Sequence, residues 1–191
     1  MSESQQRLLG AARDAFAEKG YYGTSTREIA ARAGMSPAAM YIHFQSKQDM
    51  LTRLSIAGHT SALETLRDSL AFSEASATRR LRAAVYAFAR WHAENHTTGR
   101  VLQHQLDALE TENKAQVIRL RHETVSLLRD LVSEGVRTGE FSAPDVDSTT
   151  MVVMSLCIDI VRWYPSRELN DPDAVAATIA SFAERMVVPN R

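Results

Sequence analysis

The sequence predicts an all-α protein with a three-helix N-terminal domain over residues 1–50 and a larger helical domain over residues 51–191. The chain holds only 8 Gly and 5 Pro among 191 residues and few β-branched runs, which favours helices. Apolar residues recur at helical spacing, and helix-capping signals follow each other closely near the N-terminus. The apolar content of 45% is typical of a chain that buries a core.

The first two helices are bounded by glycines. From residue 6 to 19 the apolar residues Leu8, Leu9, Ala12 and Phe16 fall at helical spacing, and a glycine follows. Ser25 and Glu28 read as a capping box that opens a second helix. We expect that helix to bury Ile29, Ala30 and Ala33 and to end at a glycine, residue 34.

The third helix is the segment SPAAMYIHF, residues 36–44, in which Ser is an N-cap and Pro takes the first helical position. Met40 and Phe44 lie four residues apart and should face a core with Phe16 and Ile29. Two short helices joined by a tight turn are typical of a helix-turn-helix. The opposite face carries small side chains, so the backbone can approach another surface, and a DNA major groove admits such a helix.

The fourth helix begins at a further predicted capping box, Ser46 to Asp49. Its N-terminus combines free N–H groups, the helix dipole and Lys47, which together suit a phosphate. Residues 1–50 hold six basic and five acidic side chains. DNA binding would therefore depend on a few placed groups and not on bulk charge.

The segment GYYGTSTREIAARAGMSPAAMYIHFQSKQDML, residues 20–51, closely resembles the DNA-binding domain of the tetracycline-repressor (TetR) family. The resemblance implies phosphate contacts at the start of the second helix, through Thr24, Ser25, Thr26 and Arg27. It implies that Ser36, Pro37, Ala38 and Ala39 lie in the major groove and that Tyr41, His43 and Lys47 hold the flanking backbone. Few donors lie on the reading helix, so Arg27 is the best candidate for a direct base contact.

The rest of the chain reads as helices over residues 47–71, 75–96, 98–109, 111–138, 144–164 and 172–187. Pro144 and Pro172 stand at predicted first-turn positions, Asp171 is a predicted cap, and Gly139 closes the long helix. The last two helices are the most uniformly apolar and must be covered. The resemblance implies that they pair with their copies in a four-helix bundle, making a homodimer on a palindromic DNA operator.

Polar side chains within the apolar helices are candidates for a small-molecule effector site. They are Trp91, His92, His96, Gln103, His104, Asp107, His122, Asp159, Arg162 and Trp163. Alternatives stay open: the histidines could be solvated or satisfied, the tryptophans could be core, and Asp159 and Arg162 could form an ion pair. Arg162 beside Trp163 could instead seat an anionic head group next to an apolar site.

A second, looser resemblance concerns VRWY, residues 161–164, and GRVLQHQLDAL, residues 99–109. These segments are similar to TetR-type repressors of steroid-ring catabolism, and that likeness implies an acyl-CoA effector. An uncharged apolar or aromatic compound is the competing expectation. Repression, with release from DNA by the effector, is likewise what the family resemblance implies.

Other classes of function fit less well. His92 and His96 have a spacing that can chelate zinc, but the sequence offers no further ligand, so no enzyme, metal or cofactor is expected. A helical interaction protein without DNA binding would leave the clustered Tyr41, His43 and Lys47 unexplained. The chain has one cysteine, Cys157, which cannot form an internal disulfide and suits a reducing compartment. Its N-terminus lacks a signal-peptide pattern and its apolar runs are too short to span a bilayer, so we expect a cytoplasmic protein away from membranes.

Overall fold

The computed structural model describes residues 1–71 and 76–188. Its helices are α1 (Glu3–Lys19), α2 (Thr26–Arg32), α3 (Pro37–His43), α4 (Lys47–Ser69), α5 (Ala77–Glu94), α6 (His96–His104), α7 (Thr111–Arg137), α8 (Val146–Ile158), α9 (Ile160–Trp163) and α10 (Pro172–Val187), with a 3₁₀ turn at Leu106–Ala108. These two described ranges contain no β-strand. The predicted all-α class and the three N-terminal helices are confirmed.

Several helix ends differ from the predicted runs because local caps decide them. The predicted run over 75–96 corresponds to α5, which ends at Glu94 because Asn95 is its C-cap, and α6 begins directly after it, at His96; residue 75 itself lies outside the described residues. The predicted helix over 98–109 ends at His104, and the chain continues as the 3₁₀ turn. α4 ends at Ser69, two residues earlier than expected.

The prediction that Pro144 lies in a first helical turn is wrong. Asp145 is the N-cap, and its carboxylate accepts a hydrogen bond from Ser148 N–H at 2.7 Å, so the proline precedes the helix. The same run also breaks at Asp159, between α8 and α9. The other signals are confirmed: Asp171 caps α10 with Pro172 inside its first turn, and Gly139, with φ of 77°, follows α7.

The chain packs as two compact units. Unit 1 holds residues 1–59 and 97–119, and unit 2 holds the described residues of 60–96 and 120–188. The sequence-based boundary after residue 50 falls inside α4, so a separate domain over 1–50 stays a prediction. The buried core of unit 1 joins the first three helices to Val101, Leu109 and Val117.

In unit 2, α10 packs along α5, which also contacts α8. Cys157 of α8 is buried against this layer, and burial raises the pKa of its thiol to about 12. None of the helices in the described ranges is both long and apolar enough to cross a membrane.

Candidate nucleic-acid interface and effector region

The turn between α2 and α3 has the geometry that its caps predict. Ser25 Oγ accepts from Glu28 N–H at 3.1 Å, and Ser36 Oγ accepts from Ala39 N–H at 3.1 Å. Between them Gly34 adopts φ of 67°, a conformation that favours glycine. The Ser25 capping box is only half formed, because the Glu28 carboxylate is directed to basic side chains.

The predicted inward face of the helix-turn-helix is confirmed. Met40, Phe44, Phe16 and Ile29 are all at most 1% exposed and belong to one buried cluster. Ala30 and Ala33 are buried in the same cluster. Because these contacts hold α3 from one side only, its other side is open to solvent.

The outward side of α3 carries most of the residues assigned to DNA. Ser36, Pro37, Ala38 and Tyr41 are exposed, whereas Ala39 and His43 are half-buried. The Tyr41 hydroxyl lies 3.5 Å from Thr26 Oγ1, which places the end of α3 beside the start of α2. Ser25 and Arg27 are also exposed. The structure therefore brings the predicted contact residues of both helices onto neighbouring surfaces of unit 1.

The predicted role of Thr24 has to be corrected. Its side chain was expected to contact a phosphate, but the residue is 2% exposed and its hydroxyl lies 2.8 Å from Gly20 O and 3.1 Å from Ala15 O. The hydroxyl donates inside the protein and ties the end of α1 to the turn that follows. A buried side chain of this kind does not reach a phosphate.

Lys47 also has a structural role. Its ammonium donates to Tyr21 O and Thr24 O, both at 2.7 Å, and lies 4.1 Å from the centre of the Tyr21 ring. Partial burial lowers the pKa of Lys47 below its ordinary value. Ser46 Oγ accepts from Asp49 N–H at 3.0 Å, and the Asp49 carboxylate accepts from Gln45 N–H. In the predicted capping box the Asp49 carboxylate would accept from Ser46 N–H, but here it accepts from the N–H of Gln45, one residue earlier.

Replacing Lys47 should therefore lower the stability of the protein. Lys47→Met keeps the aliphatic stem but leaves two carbonyl groups without their charged donor, which we expect to destabilise unit 1 by about 1 kcal/mol at this partly exposed position. Urea unfolding measures the effect. An unchanged unfolding midpoint would contradict the clamping role, and Arg27→Ala, on an exposed side chain, is the matched control that should leave the midpoint unchanged.

Acidic side chains on unit 1 form ion pairs with some of its basic side chains but not with all of them. Arg32 bridges Glu18 and Glu28 at 2.7 and 2.8 Å, and Lys19 binds Glu28 at 2.7 Å. The Arg32 hydrogen bond lowers the pKa of Glu18, and the Lys19 hydrogen bond lowers that of Glu28. Arg27 makes no side-chain hydrogen bond or ion pair with any residue of the ranges 1–71 and 76–188. Its charge is therefore available to an anion.

Three residues on this unit were not predicted from the sequence. Gln105 Oε1 accepts a hydrogen bond from Tyr21 N–H at 2.9 Å, which joins the segment after α6 to the α1–α2 turn. Tyr22 and Ile42 are each 81% exposed. Helical spacing could have indicated that Ile42 is exposed, because it lies one turn after Ala38 on the solvent side of α3.

Unit 2 gathers many of the effector candidates around aromatic rings. His92 is 4% exposed, its Nδ1 lies 2.8 Å from Phe88 O, and its ring meets those of Phe88 and Trp91 at 4.5 and 5.0 Å. Burial lowers the pKa of His92 to about 4. Trp91 is buried and donates to Ser61 Oγ at 3.0 Å. These contacts describe satisfied core side chains.

A second aromatic group in unit 2 joins His96, Trp163 and Tyr164. The Tyr164 ring lies 5.4 Å from that of His96 and 6.4 Å from that of Trp163. Arg162 is exposed and binds the Asp159 carboxylate at 3.0 Å, which is the ion pair that the sequence left open. His122 is exposed on α7.

The remaining effector candidates belong to unit 1. Asp107 is exposed and binds Lys114 at 2.6 Å, which lowers the pKa of that carboxyl; His104 is exposed and Gln103 is half-buried. A groove of about 470 Å³ in unit 2 is lined instead by Arg79, Arg82, Ala83, Tyr86 and Ala177. Within the described ranges, no group of three or more His, Cys, Asp and Glu side chains is placed to hold a metal ion.

Two protein families match segments of this sequence. "Bacterial regulatory proteins, tetR family" matches residues 8–54, and "Tetracyclin repressor-like, C-terminal domain" matches residues 74–187. The chain belongs to the TetR family. This TetR-family chain is thus a DNA-binding transcriptional regulator, and the helix-turn-helix described above is the part that the N-terminal family covers.

Relatives of this regulator include both a transcriptional activator and a transcriptional repressor. The HTH-type transcriptional activator FasR of Mycolicibacterium smegmatis is 26% identical over 93% of this chain and 80% of the relative. The HTH-type transcriptional repressor KstR2 of Mycobacterium tuberculosis is 27% identical over 82% of this chain and 79% of the relative. KstR2 is described as a ketosteroid transcriptional regulator, which is consistent with the second resemblance seen in the sequence.

Solved structures share the whole fold. A TetR-family regulatory protein from Rhodococcus RHA1 superposes with a TM-score of 0.92, at 36% identity and full coverage of both chains. AibR in complex with isovaleryl coenzyme A and operator DNA superposes with a TM-score of 0.82, at 21% identity over 94% of this chain and 97% of AibR. At that identity the AibR likeness shows the fold alone.

Proposed function

We propose that this regulator is a homodimeric repressor that an amphipathic effector, an acyl-CoA or a related carboxylate, releases from its DNA operator. In this proposal residues 1–50 supply the DNA contacts and residues 51–191 supply effector binding and dimerisation, in the cytoplasm. The observation that carries the DNA part is the exposed α2–α3 surface, with uncompensated Arg27 beside small side chains. Catalysis has no part in the proposal, because the family consists of regulators.

On this surface Arg27 contributes charge and hydrogen bonds, whereas α3 contributes shape. Exposed Pro37 and Ala38 let the helix lie deep in the major groove. Ser25, Thr26, Tyr41 and His43 are proposed to position the protein on the phosphates. Thr24 and Lys47 support them from inside, through their bonds to the backbone of the α1–α2 turn.

Arg27→Ala tests the DNA part directly. A lost guanidinium contact should weaken duplex binding by about tenfold or more and reduce its salt dependence by about one counterion per site. Fluorescence anisotropy with a labelled duplex, measured at several salt concentrations, gives both quantities. Arg79→Ala makes the same charge change on exposed unit 2 surface. Equal effects of the two substitutions on duplex binding would show that Arg27 does not contact the DNA.

The dimer part of the proposal concerns α8 and α10. Met151 and Val152 on α8, and Phe182 and Met186 on α10, are exposed, with 44–53% of their surface in water. Large apolar side chains clustered on two contacting helices are typical of a protein interface. A second copy of the chain, covering them by two-fold symmetry, would also place two reading helices on a palindromic operator.

The effector part rests on unit 2. Its polar and aromatic side chains lie close together at His96, Trp163 and Tyr164, with the Arg162 guanidinium exposed on the neighbouring turn. An acyl chain would contact apolar and aromatic surface, while an exposed Arg suits a phosphate or carboxylate group that stays near solvent. AibR, which has the same fold, was crystallised with a coenzyme A thioester and supports this class of effector.

Thermal unfolding against acyl-CoA thioesters, free CoA and the matching free acids tests the effector class. A ligand at one hundred times its dissociation constant should stabilise the native state by about 2.7 kcal/mol. We expect thioesters to stabilise the wild type and to stabilise Arg162→Ala less, with exposed Arg167→Ala as the charge-matched control. Stabilisation by uncharged aromatic compounds alone would reject the thioester and return Arg162 to its ion pair.

A further inference from the structure

α3 leaves a large aliphatic side chain in water. Ile42 is 81% exposed, although its neighbours in sequence include the fully buried Met40 and Phe44. Residues four apart on a helix lie one above the other, so Ile42 shares its side of α3 with Ala38, which is also exposed. An isoleucine in this position contributes nothing to the core and is available for an external contact.

The same side of α3 is poor in free hydrogen-bonding groups. The Ser36 hydroxyl is used as the N-cap, accepting from Ala39 N–H, and the Tyr41 hydroxyl lies beside Thr26 Oγ1. Direct readout by donors and acceptors, the usual means of distinguishing base pairs, therefore has few side chains to use here. Exposed Pro37, Ala38 and Ile42 present only methyl and methylene groups.

Base edges in the major groove offer one apolar group, the 5-methyl of thymine. We propose that Ile42, with Ala38 beside it, determines part of the operator specificity by contacting thymine 5-methyl groups. This inference rests on the DNA binding through α3 proposed above and names its specificity. Cytosine lacks the methyl group, whereas 5-methylcytosine carries it and should be accepted through the same contact.

The experiment first selects duplexes from a random pool with the full chain. Each thymine of the selected half-site is then replaced singly by deoxyuridine, which keeps base pairing and removes only the methyl group. At one or two thymines per half-site we expect about three- to fivefold weaker binding, the effect of burying one methyl group. With Ile42→Ala the same replacements should have little further effect, while Ile42→Val should retain part of the sensitivity.

The outcomes separate this inference from the proposed function. If the pool yields no enriched duplex, DNA binding itself fails. If duplexes are enriched but every deoxyuridine is tolerated, the methyl contact is rejected while DNA binding stands. Undiminished deoxyuridine sensitivity in Ile42→Ala would assign the contact to another residue. Because Ile42 is exposed, Ile42→Ala should unfold like the wild type, and a change in dimerisation instead of DNA affinity would place Ile42 against a second copy.

Discussion

Gly135→Ala is expected to lower the free energy of unfolding by about 1–3 kcal/mol, or more if the backbone has to move. Gly135 lies on α7 beneath the buried Phe141 ring, and a Cβ atom there would lie 2.0 Å from Phe141 Cδ2 and 2.3 Å from Cε2. Phe141 N–H also donates to Gly135 O at 2.9 Å, which holds the Phe141 backbone close to Gly135. Urea unfolding measures the loss.

Gly10→Ala is the matched control for this substitution. Gly10 lies inside α1, and a Cβ atom there meets nothing within 4 Å. Alanine is the better helix former, so this variant should be as stable as the wild type or more stable by up to about 1 kcal/mol. In a Phe141→Ala background, Gly135→Ala should cause no further loss. A full additional loss there would show that the ring contact is not the cause.

The second large effect is a loss of stability on mild acidification that depends on His92. Burial lowers its pKa from 6.5 to about 4, so between these values the unfolded chain binds a proton that the folded chain does not. Stability is therefore fully present above pH 6.5 and falls as the pH falls toward 4. The difference amounts to about 2 kcal/mol between pH 6.5 and 5, and about 3 kcal/mol over the whole range.

Urea unfolding at pH 7.5, 6.5 and 5 measures this dependence. His92→Leu removes the titrating ring and should flatten the curve above pH 5, where the carboxylates contribute little. His122→Gln removes an exposed histidine from α7 and should keep the wild-type slope. A curve that stays steep in His92→Leu would mean that another group carries the pH dependence.

The sequence predicted the helix-turn-helix well because its signals are local. Ser36 and Pro37 start a helix by short-range chemistry, and the spacing of Met40 and Phe44 specifies which side is buried. The same reasoning missed contacts that only the folded turn brings near. The Thr24 hydroxyl donates to Gly20 O inside the protein, and the Lys47 ammonium, whose phosphate contact stays a prediction, also donates to Thr24 O.

The effector region was less predictable for a related reason. A histidine or tryptophan within an apolar helix suits a core and a ligand site equally, and the contacts that distinguish them come from distant segments. Trp91 bonds to Ser61, thirty residues away, and His96 meets Tyr164. The Asp159–Arg162 ion pair was at least one of the alternatives that the sequence offered, because residues three apart on a helix are neighbours.

The proposed function requires that one chain binds DNA through α2 and α3 and loses that affinity when an acyl-CoA binds. The most direct measurement is the anisotropy of a labelled, pool-selected duplex bound to the full chain while palmitoyl-CoA, free CoA or palmitate is added. We predict that the thioester releases the duplex and that equal concentrations of free CoA and palmitate do not. A complex that persists in palmitoyl-CoA, at concentrations that raise the unfolding temperature of the protein, would contradict the proposed function.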